Sequence, residues 1–316
     1  MGVEIAGTDE VTQWMDISGS GVKMTSTDTA SRPQSVVDTV SGEAAVRFDG
    51  LSSVLKSESG IDLRQGSTDV TIFTVVRPEA GQVEHATIFS HDHRTTPQDG
   101  YTLQQHTGAP GRFIFAWRSN NSSFAGNTLG TQTETGVPQI ISAHKDGTDH
   151  RMWVNGVEGH AETVAATMLS LPGRFAVGGT IDATDRYLNG DILEIRVYNR
   201  ALATLEREQV EAELISRYNL NDVDADGIED AWERQYFGSL ERDGTADADG
   251  DGQTDLMEYL AGTNPWPEAG VNSGLQLWLR ADMGVEIAGT DEVTQWMDIS
   301  GSGIKLTQSD AASRPQ

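Results

Sequence analysis

Cysteine is absent from this 316-residue chain. That excludes disulfides, zinc-thiolate sites and thiol nucleophiles together, and leaves the redox compartment open. Long apolar runs are missing as well. None approaches the ~20 residues that cross a bilayer as a helix, so no membrane partner is expected for this segment. Bases are scarce: 22 Lys and Arg stand against 48 Asp and Glu, a net charge of -26. A nucleic-acid partner would require clustered Lys and Arg to displace phosphate counterions, and is excluded on this ground. There is no Gly-rich phosphate loop and no nucleophile elbow. Carboxylate is what the chain has in excess, and where disulfides are lacking calcium is the usual alternative staple.

Residues 1–34 occur twice. MGVEIAGTDEVTQWMDISGSG returns at Met283 with an offset of 282 residues, and the 34 aligned positions, ending in SRPQ both times, differ at only five. Those five are Val22/Ile304, Met24/Leu306, Ser26/Gln308, Thr27/Ser309 and Thr29/Ala311. Two copies this close read as one period of a tandem array, cut inside one unit and again inside the next. On that reading Met1, whose counterpart sits in mid-chain, marks no start, and a missing leader carries no information on secretion.

From Val11 to Tyr198 short alternating runs are separated by Gly, Asn, Asp and Pro clusters, the pattern of antiparallel β-structure. Val46 and Phe48 oppose Arg47. Val70 to Val76 is apolar on both faces and belongs in the middle of a sandwich. Phe113, Phe115 and Trp117 share one face, and Asn155-Gly156 suits a type I′ hairpin turn. Leu193, Ile195 and Val197 alternate with Glu194 and Arg196, which predicts a strand wet on one side. A single closing helix follows, with Thr204 as N-cap, Val210, Leu214 and Tyr218 on its inward face, and an end near Asn219. The expected class is an all-β, antiparallel β-sandwich with one closing helix.

The segment VGGTIDATDRYLNGDILEIRVYNRALATLEREQVEAELISRYNL, together with LQLWLRAD, VTQWMDISGSG and SRPQ, resembles the laminin G-like, concanavalin A-like modules of large bacterial surface proteins. The resemblance implies a jelly-roll sandwich over 1–220 in which LWLRAD is the opening strand. That strand is found here only at Leu275 to Asp282, so the first sandwich is expected to lack it. Residues 221–270 are then a spacer, and 271–316 supply the first strands of the next repeat.

From Asp222 to Glu258 the chain carries 13 acids and only Arg234 and Arg242 as bases. Such density repels itself unless a cation sits within it. Asp222, Asp224, Asp226, Asp230 and Glu233 occupy positions 1, 3, 5, 9 and 12 of a loop, with Gly227 at position 6 and the Ile228 carbonyl at 7. Asp247, Asp249, Asp251, Asp255 and Glu258 repeat the spacing, with Gly252 at the turn and the Gln253 carbonyl at position 7. This wraps a chain around a calcium ion, which takes six to eight hard oxygens at roughly 2.3 to 2.6 Å. Position 8 departs from an EF-hand, being Glu229 and Thr254 where an apolar residue would pair two loops. With WERQYFGS and LMEYLAGTNP following the loops, the block instead resembles bacterial thrombospondin type 3-like calcium repeats, which implies a stiff spacer. So short a segment is expected to bury little apolar surface alone and to be ordered by Ca2+.

Other candidates carry less. His91 and His93 of SHDH share a face but have no apparent third ligand, so they read as an ordinary loop-end pair. Asp191 and Glu194 are spaced by three and fall on opposite faces, unlike a glycosidase pair, and no enzyme is expected. Trp14, Trp117, Trp153 and Trp278 could form a sugar platform, but alternation puts Trp117 in the core. Asn120 and Asn121 each begin an N-x-S sequon. The expected role is a repeat unit of a long extracellular filament or giant surface adhesin, whose partners are adjacent copies joined head-to-tail by strand complementation. The alternative is a lectin-like module that binds a glycan or surface protein through loops such as Ser119 to Gly130 or His91 to Gly100.

Overall fold

The structure, a computed structural model, describes all residues except 1, 8, 94–98, 119–123, 166–167, 183–184, 267–276, 278, 280–284, 289–291, 299–303, 311–312 and 316. The chain divides into two compact units, 1–223 and 224–316.

The first unit runs β1 (Val3–Ala6), β2 (Glu10–Met15), β3 (Lys23–Thr25), β4 (Gln34–Val37), β5 (Ala44–Asp49), β6 (Leu55–Ser57), β7 (Val70–Pro78), β8 (Thr87–His93) and β9 (Asp99–Gln105). It continues with β10 (Arg112–Arg118), β11 (Phe124–Gln132), β12 (Gln139–Asp146), β13 (Asp149–Val154), β14 (Val157–Glu158), β15 (Glu162–Thr163), β16 (Arg174–Val177), β17 (Asn189–Tyr198) and the helix α1 (Thr204–Tyr218). One antiparallel layer is β1-β2-β3-β6-β16-β8-β9-β10-β11. The other is β4-β5-β17-β7-β12-β13, extended by β14 and β15. A single pairing, Glu10 with Gln34, ties β2 to β4 at one edge. The molecule is thus the all-β sandwich that the alternation predicts.

The core lies between the layers. Phe113, Phe115 and Trp117 of β10 meet Val70, Ile72 and Val76 of β7, while Val46 and Phe48 of β5 point inward and Arg47 outward. Strand β7 is covered on its other face too, where Phe73 meets the edge of Tyr198 at 5.9 Å. A strand buried on both sides is expected to be mainly apolar, and between Val70 and Val76 this one departs only at the buried threonines Thr71 and Thr74. Asn155 (φ 49°) and Gly156 (φ 76°) turn β13 into β14 with both residues left-handed, as a type I′ turn requires.

The end of β17 and the closing helix differ from expectation. Glu194 and Arg196 are not wet: they lie half-buried beneath α1 and bond Glu213, Arg217 and Tyr218. The N-cap of α1 is Ala203, not Thr204. Its N–H donates to Glu206 at 3.0 Å, so a carboxylate of the first turn does the work of a capping side chain. The helix ends at Asn219, in the left-handed conformation at φ 52°. Its inward face is Arg207, Glu211, Leu214 and Tyr218, whereas Val210 is half-buried. The Arg207 guanidinium stacks 4.4 Å from the Trp153 ring centroid and bonds Glu211, which also accepts from Ser142 Oγ at 2.6 Å.

A buried ion pair is costly to break because one charge is then stranded away from water. Arg207→Ala should lower stability by about 3 to 5 kcal/mol, read as a fall in the urea midpoint of the sandwich. Arg207→Met/Glu211→Met, which removes both charges, should recover most of that loss.

The second unit holds α2 (Asp230–Tyr236), α3 (Asp255–Ala261), β18 (Val285–Ala288), β19 (Glu292–Met297) and β20 (Lys305–Thr307). The last three form a separate antiparallel sheet. The LQLWLRAD segment lies outside the described residues apart from Leu277 and Leu279.

Candidate metal centre

Each acidic loop runs directly into a helix. Helices α2 and α3 begin at position 9 of their loops, with Glu229 and Thr254 at the cap, and Thr254 Oγ1 accepts from Met257 N at 3.3 Å. Position 8 therefore caps a helix rather than pairing two loops, and at Thr254 the capping bond accounts for its polarity. Positions 9 and 12 fall in the first helical turn, where carboxylates meet the positive end of the helix dipole. Gly227 (φ 95°) and Gly252 (φ 97°) make the sharp turn in their respective loops. The position-5 carboxylates are held alike: Asp226 Oδ1 accepts from Ile228 N and Asp251 Oδ1 from Gln253 N, both at 2.8 Å. Asp247 accepts from Gly250 N at 2.7 Å and Gly252 N at 2.9 Å.

Asp224, Asp226 and Glu233 each bring a carboxylate oxygen within 4.8 Å of the other two, and so do Asp247, Asp249 and Asp251. Glu233 is fully buried and neither of its carboxylate oxygens accepts a hydrogen bond; Glu258, also buried, leaves Oε2 in the same condition. A buried carboxylate facing other carboxylates is disfavoured twice, by lost hydration and by like charge. Burial, then Asp224, Asp226 and Asp230, push the Glu233 carboxyl up to about 8. Burial, then Asp249, Asp251, Asp255 and Asp247, push Glu258 up to about 7. Burial also raises Asp249, while the Gly252 N–H chiefly holds Asp247 down.

The remaining expected ligands are placed less simply. Asp255 is buried, accepting from Arg242 Nε at 2.6 Å and Ala248 N at 3.0 Å, so position 9 of the second loop fastens that loop to Arg242. Asp230 pairs with Arg234 at 3.0 Å. Asp222 is half-buried and lies in the first unit. Ile228 is fully buried and Gln253 half-buried.

The spacer also has a small core of its own that its acidity hides. Trp232 packs on Tyr236, Phe237 and Tyr259 with centroids 4.7, 5.5 and 5.7 Å away, and Phe237 packs on Trp266. Trp266 Nε1 donates to the Tyr236 carbonyl at 2.6 Å, and the Arg242 guanidinium lies 4.6 Å from the Phe237 ring centroid. The aromatic residues of WERQYF and LMEYL were the available signal.

Elsewhere the candidate residues are structural. Asp191 is buried in a two-pronged pair with Arg47, while Glu194 bonds Arg196, Arg217 and Tyr218. His91 is no loop-end residue: it lies in β8, buried between Tyr101 and Phe175 at centroid distances of 5.1 and 4.7 Å. The side chains of Asp92 and His93, and Trp278, Asn120 and Asn121, lie outside the described residues. Trp117 and Trp153 are buried and Trp14 half-buried, which leaves none of them as an open sugar platform.

A two-layer antiparallel sandwich of this kind is the architecture of laminin G-like and concanavalin A-like domains. The family model described as the concanavalin A-like lectin/glucanases superfamily matches residues 49–206, and the chain belongs to that family. Among solved structures, it is similar to the binding domain of Paraclostridial Mosquitocidal Protein 1 (14% identity, 68% of this chain and 52% of that one, TM-score 0.50), of which it spans about half the length. It is also similar to the heptameric SAP-like pentraxin of Limulus polyphemus (17% identity, 53% of this chain and 81% of that one, TM-score 0.42). A third likeness is to domains LG4-5 of the mouse laminin α1 chain (20% identity, 53% and 44%, TM-score 0.39). A search of curated proteins found no match.

Proposed function

We propose that this chain is a structural repeat unit of a long extracellular filament or giant surface adhesin, in which lectin-like sandwiches alternate with spacers stiffened by calcium. The observation that carries the reading is Glu233, a fully buried carboxylate with no hydrogen-bond partner, facing Asp224 and Asp226. Without a cation, folding would have to bury this carboxyl as the neutral acid or strand its charge, and either costs free energy that a bound cation would remove. Glu258 stands at the matching position of the second acidic loop, buried and with Oε2 alone unbonded. The oxygens would take calcium, a hard cation, better than a soft metal, and Asp224, Asp226 and Glu233 would hold one ion. Asp247, Asp249 and Asp251, with Glu258, would hold the other. Sites of this kind outside cells bind in the ~10⁻⁴ to 10⁻³ M range. They would fill where calcium is millimolar, which supports an extracellular location.

The duplicated segment supports a role among equivalent neighbours, since 34 residues recur with five conservative changes. A non-catalytic role is favoured because Asp191 and Glu194 are both consumed in ion pairs. A lectin-like role in binding a glycan or surface protein, suggested by the family, would fall to loops that include 94–98 and 119–123, which are not among the described residues.

Calorimetric titration of calcium into the chelator-treated chain is expected to show two ions bound, with Asp226→Ala and Asp251→Ala each losing one. Absence of uptake would overturn the calcium-stiffened spacer.

A further inference from the structure

The two acidic loops meet at one residue of the segment that joins them. Gly244, left-handed at φ 66°, leaves no room for a side chain: a Cβ there would stand 3.2 Å from Ile228 Cδ1, 3.2 Å from Leu256 Cβ and 3.4 Å from Asp226 Oδ2. Asp226 and Ile228 are positions 5 and 7 of the first loop, whereas Leu256 stands in the first turn of α3, which follows the second. The Gly244 carbonyl accepts from Leu256 N at 3.1 Å and the Ala246 carbonyl from Asp255 N at 2.7 Å, so the joining segment is fastened to the start of α3. Leu256 Cδ1 reaches on towards the turn glycine of the first loop, 3.6 Å from where a Cβ on Gly227 would lie. Two further ties cross the same joint. Trp232 of α2 packs on Tyr259 of α3, and Arg242 runs from the Phe237 ring at the end of α2 to Asp255, whose other oxygen accepts from Ala248 N in the second loop.

We propose that the two loops bind calcium cooperatively, and that the coupling passes through the joint that Gly244 makes between Ile228 and Leu256. The inference rests on the calcium reading of the spacer given above. Its physical route is the ordering of the chain. An ion in the first loop fixes Asp226 and Glu233, and with them Ile228 and α2, which form half of the surface on which α3 settles. The second loop is fastened to α3 through Asp255 and Glu258, so it is placed before its own ion arrives. The first ion thus bears the cost of ordering and the second does not. For a spacer that folds as one unit, the coupling factor is the reciprocal of the fraction already folded without calcium. A joint has a signature that stability alone lacks. Cutting it lets each loop order by itself and brings the factor towards 1, whereas weakening the folded spacer as a whole raises the factor.

Calorimetric titration of calcium chloride into the full chain gives the overall constant for two ions, and the Asp226→Ala and Asp251→Ala chains give each site's constant with the other disabled. The overall association constant divided by the product of the two single-site constants is the coupling factor. It is expected to reach at least about fivefold. Leu256→Ala retracts the second half of the joint and Gly244→Ala forces a methyl group into it. Introduced into the same three chains, each should lower the factor at least about twofold. Leu260→Ala, 73% exposed on the same helix, should leave it unchanged. A factor of 1 in the unaltered chain with two ions bound would overturn the coupling and leave the calcium reading intact. A factor that stays level or rises in Leu256→Ala would overturn the assignment to the joint, and that variant decides the matter if Gly244→Ala does not fold. Absence of any calcium uptake would overturn the calcium reading and the coupling together.

Discussion

Chelation is expected to melt the spacer and leave the sandwich folded. The spacer has few means of its own to stay ordered: an aromatic cluster around Trp232 and Phe237 works against 13 acids between Asp222 and Glu258, and Glu233 and Glu258 are buried without sufficient partners. A cation bound only by the folded form adds RT ln(1 + [L]/Kd), about 1.4 kcal/mol per site when calcium exceeds Kd tenfold, or about 3 kcal/mol for two. For a segment this small that is the difference between folded and unfolded. Near-ultraviolet dichroism of the spacer tryptophans should therefore show a calcium-dependent transition, and the β-sheet signal of the first unit should be indifferent to chelator. Glu233→Gln separates ligation from packing. It replaces a carboxyl that folding must protonate or desolvate by a neutral side chain of the same shape, so it should raise the melting temperature without calcium and diminish the rise that calcium produces. If Glu233 served only to pack, the variant would lower both melts alike; a spacer melt unmoved by chelator would remove calcium from the account.

The parts legible in the sequence are those whose partners lie close along the chain or recur with a regular period. Phe113, Phe115 and Trp117 alternate and all turn inward, and Asn155-Gly156 makes the turn its backbone freedom suits. The acidic loops could be read because their carboxylates fall within a few residues of one another. What escaped notice was tertiary and polar. Arg207 and Glu211 occupy the inward face of α1 because Trp153 and Ser142 receive them there, and apolar periodicity is blind to a buried ion pair. Glu194 and Arg196 read as a wet edge for the same reason, although Glu213, Arg217 and Tyr218 cover them. His91 looked like half of a ligand pair because its aromatic neighbours, Tyr101 and Phe175, come from other strands. The spacer's small core joins Trp232 to Tyr259, and Phe237 to Trp266, across an interval dominated by acids.

Mild acid is expected to weaken the sandwich through one histidine. His150 is fully buried, and its Nδ1 accepts a hydrogen bond from Trp117 Nε1 at 3.3 Å. Lys145, also buried, holds its ammonium 5.4 Å from the Trp117 ring centroid. Protonating His150 would set a second donor against the indole N–H and add a positive charge near the first. Burial, then Lys145, push the imidazole down to about 4, outweighing the opposing pull of Glu162 and Asp149. Its ordinary value is 6.5, so above that pH both folded and unfolded chains carry it neutral and its contribution is complete. As pH falls from 6.5 towards 4 the unfolded chain takes up the proton and the folded one does not, which costs up to about 3 kcal/mol. Below that window both states are protonated and the difference stops growing. His144 is shifted downward by burial and adds a loss of the same sign. Urea denaturation of the sandwich at a series of pH values should show this slope, and His150→Gln, whose amide oxygen can still accept from Trp117, should flatten it while keeping most of the stability at pH 7. Equal slopes in the two proteins would mean that the buried imidazole is not what acid attacks.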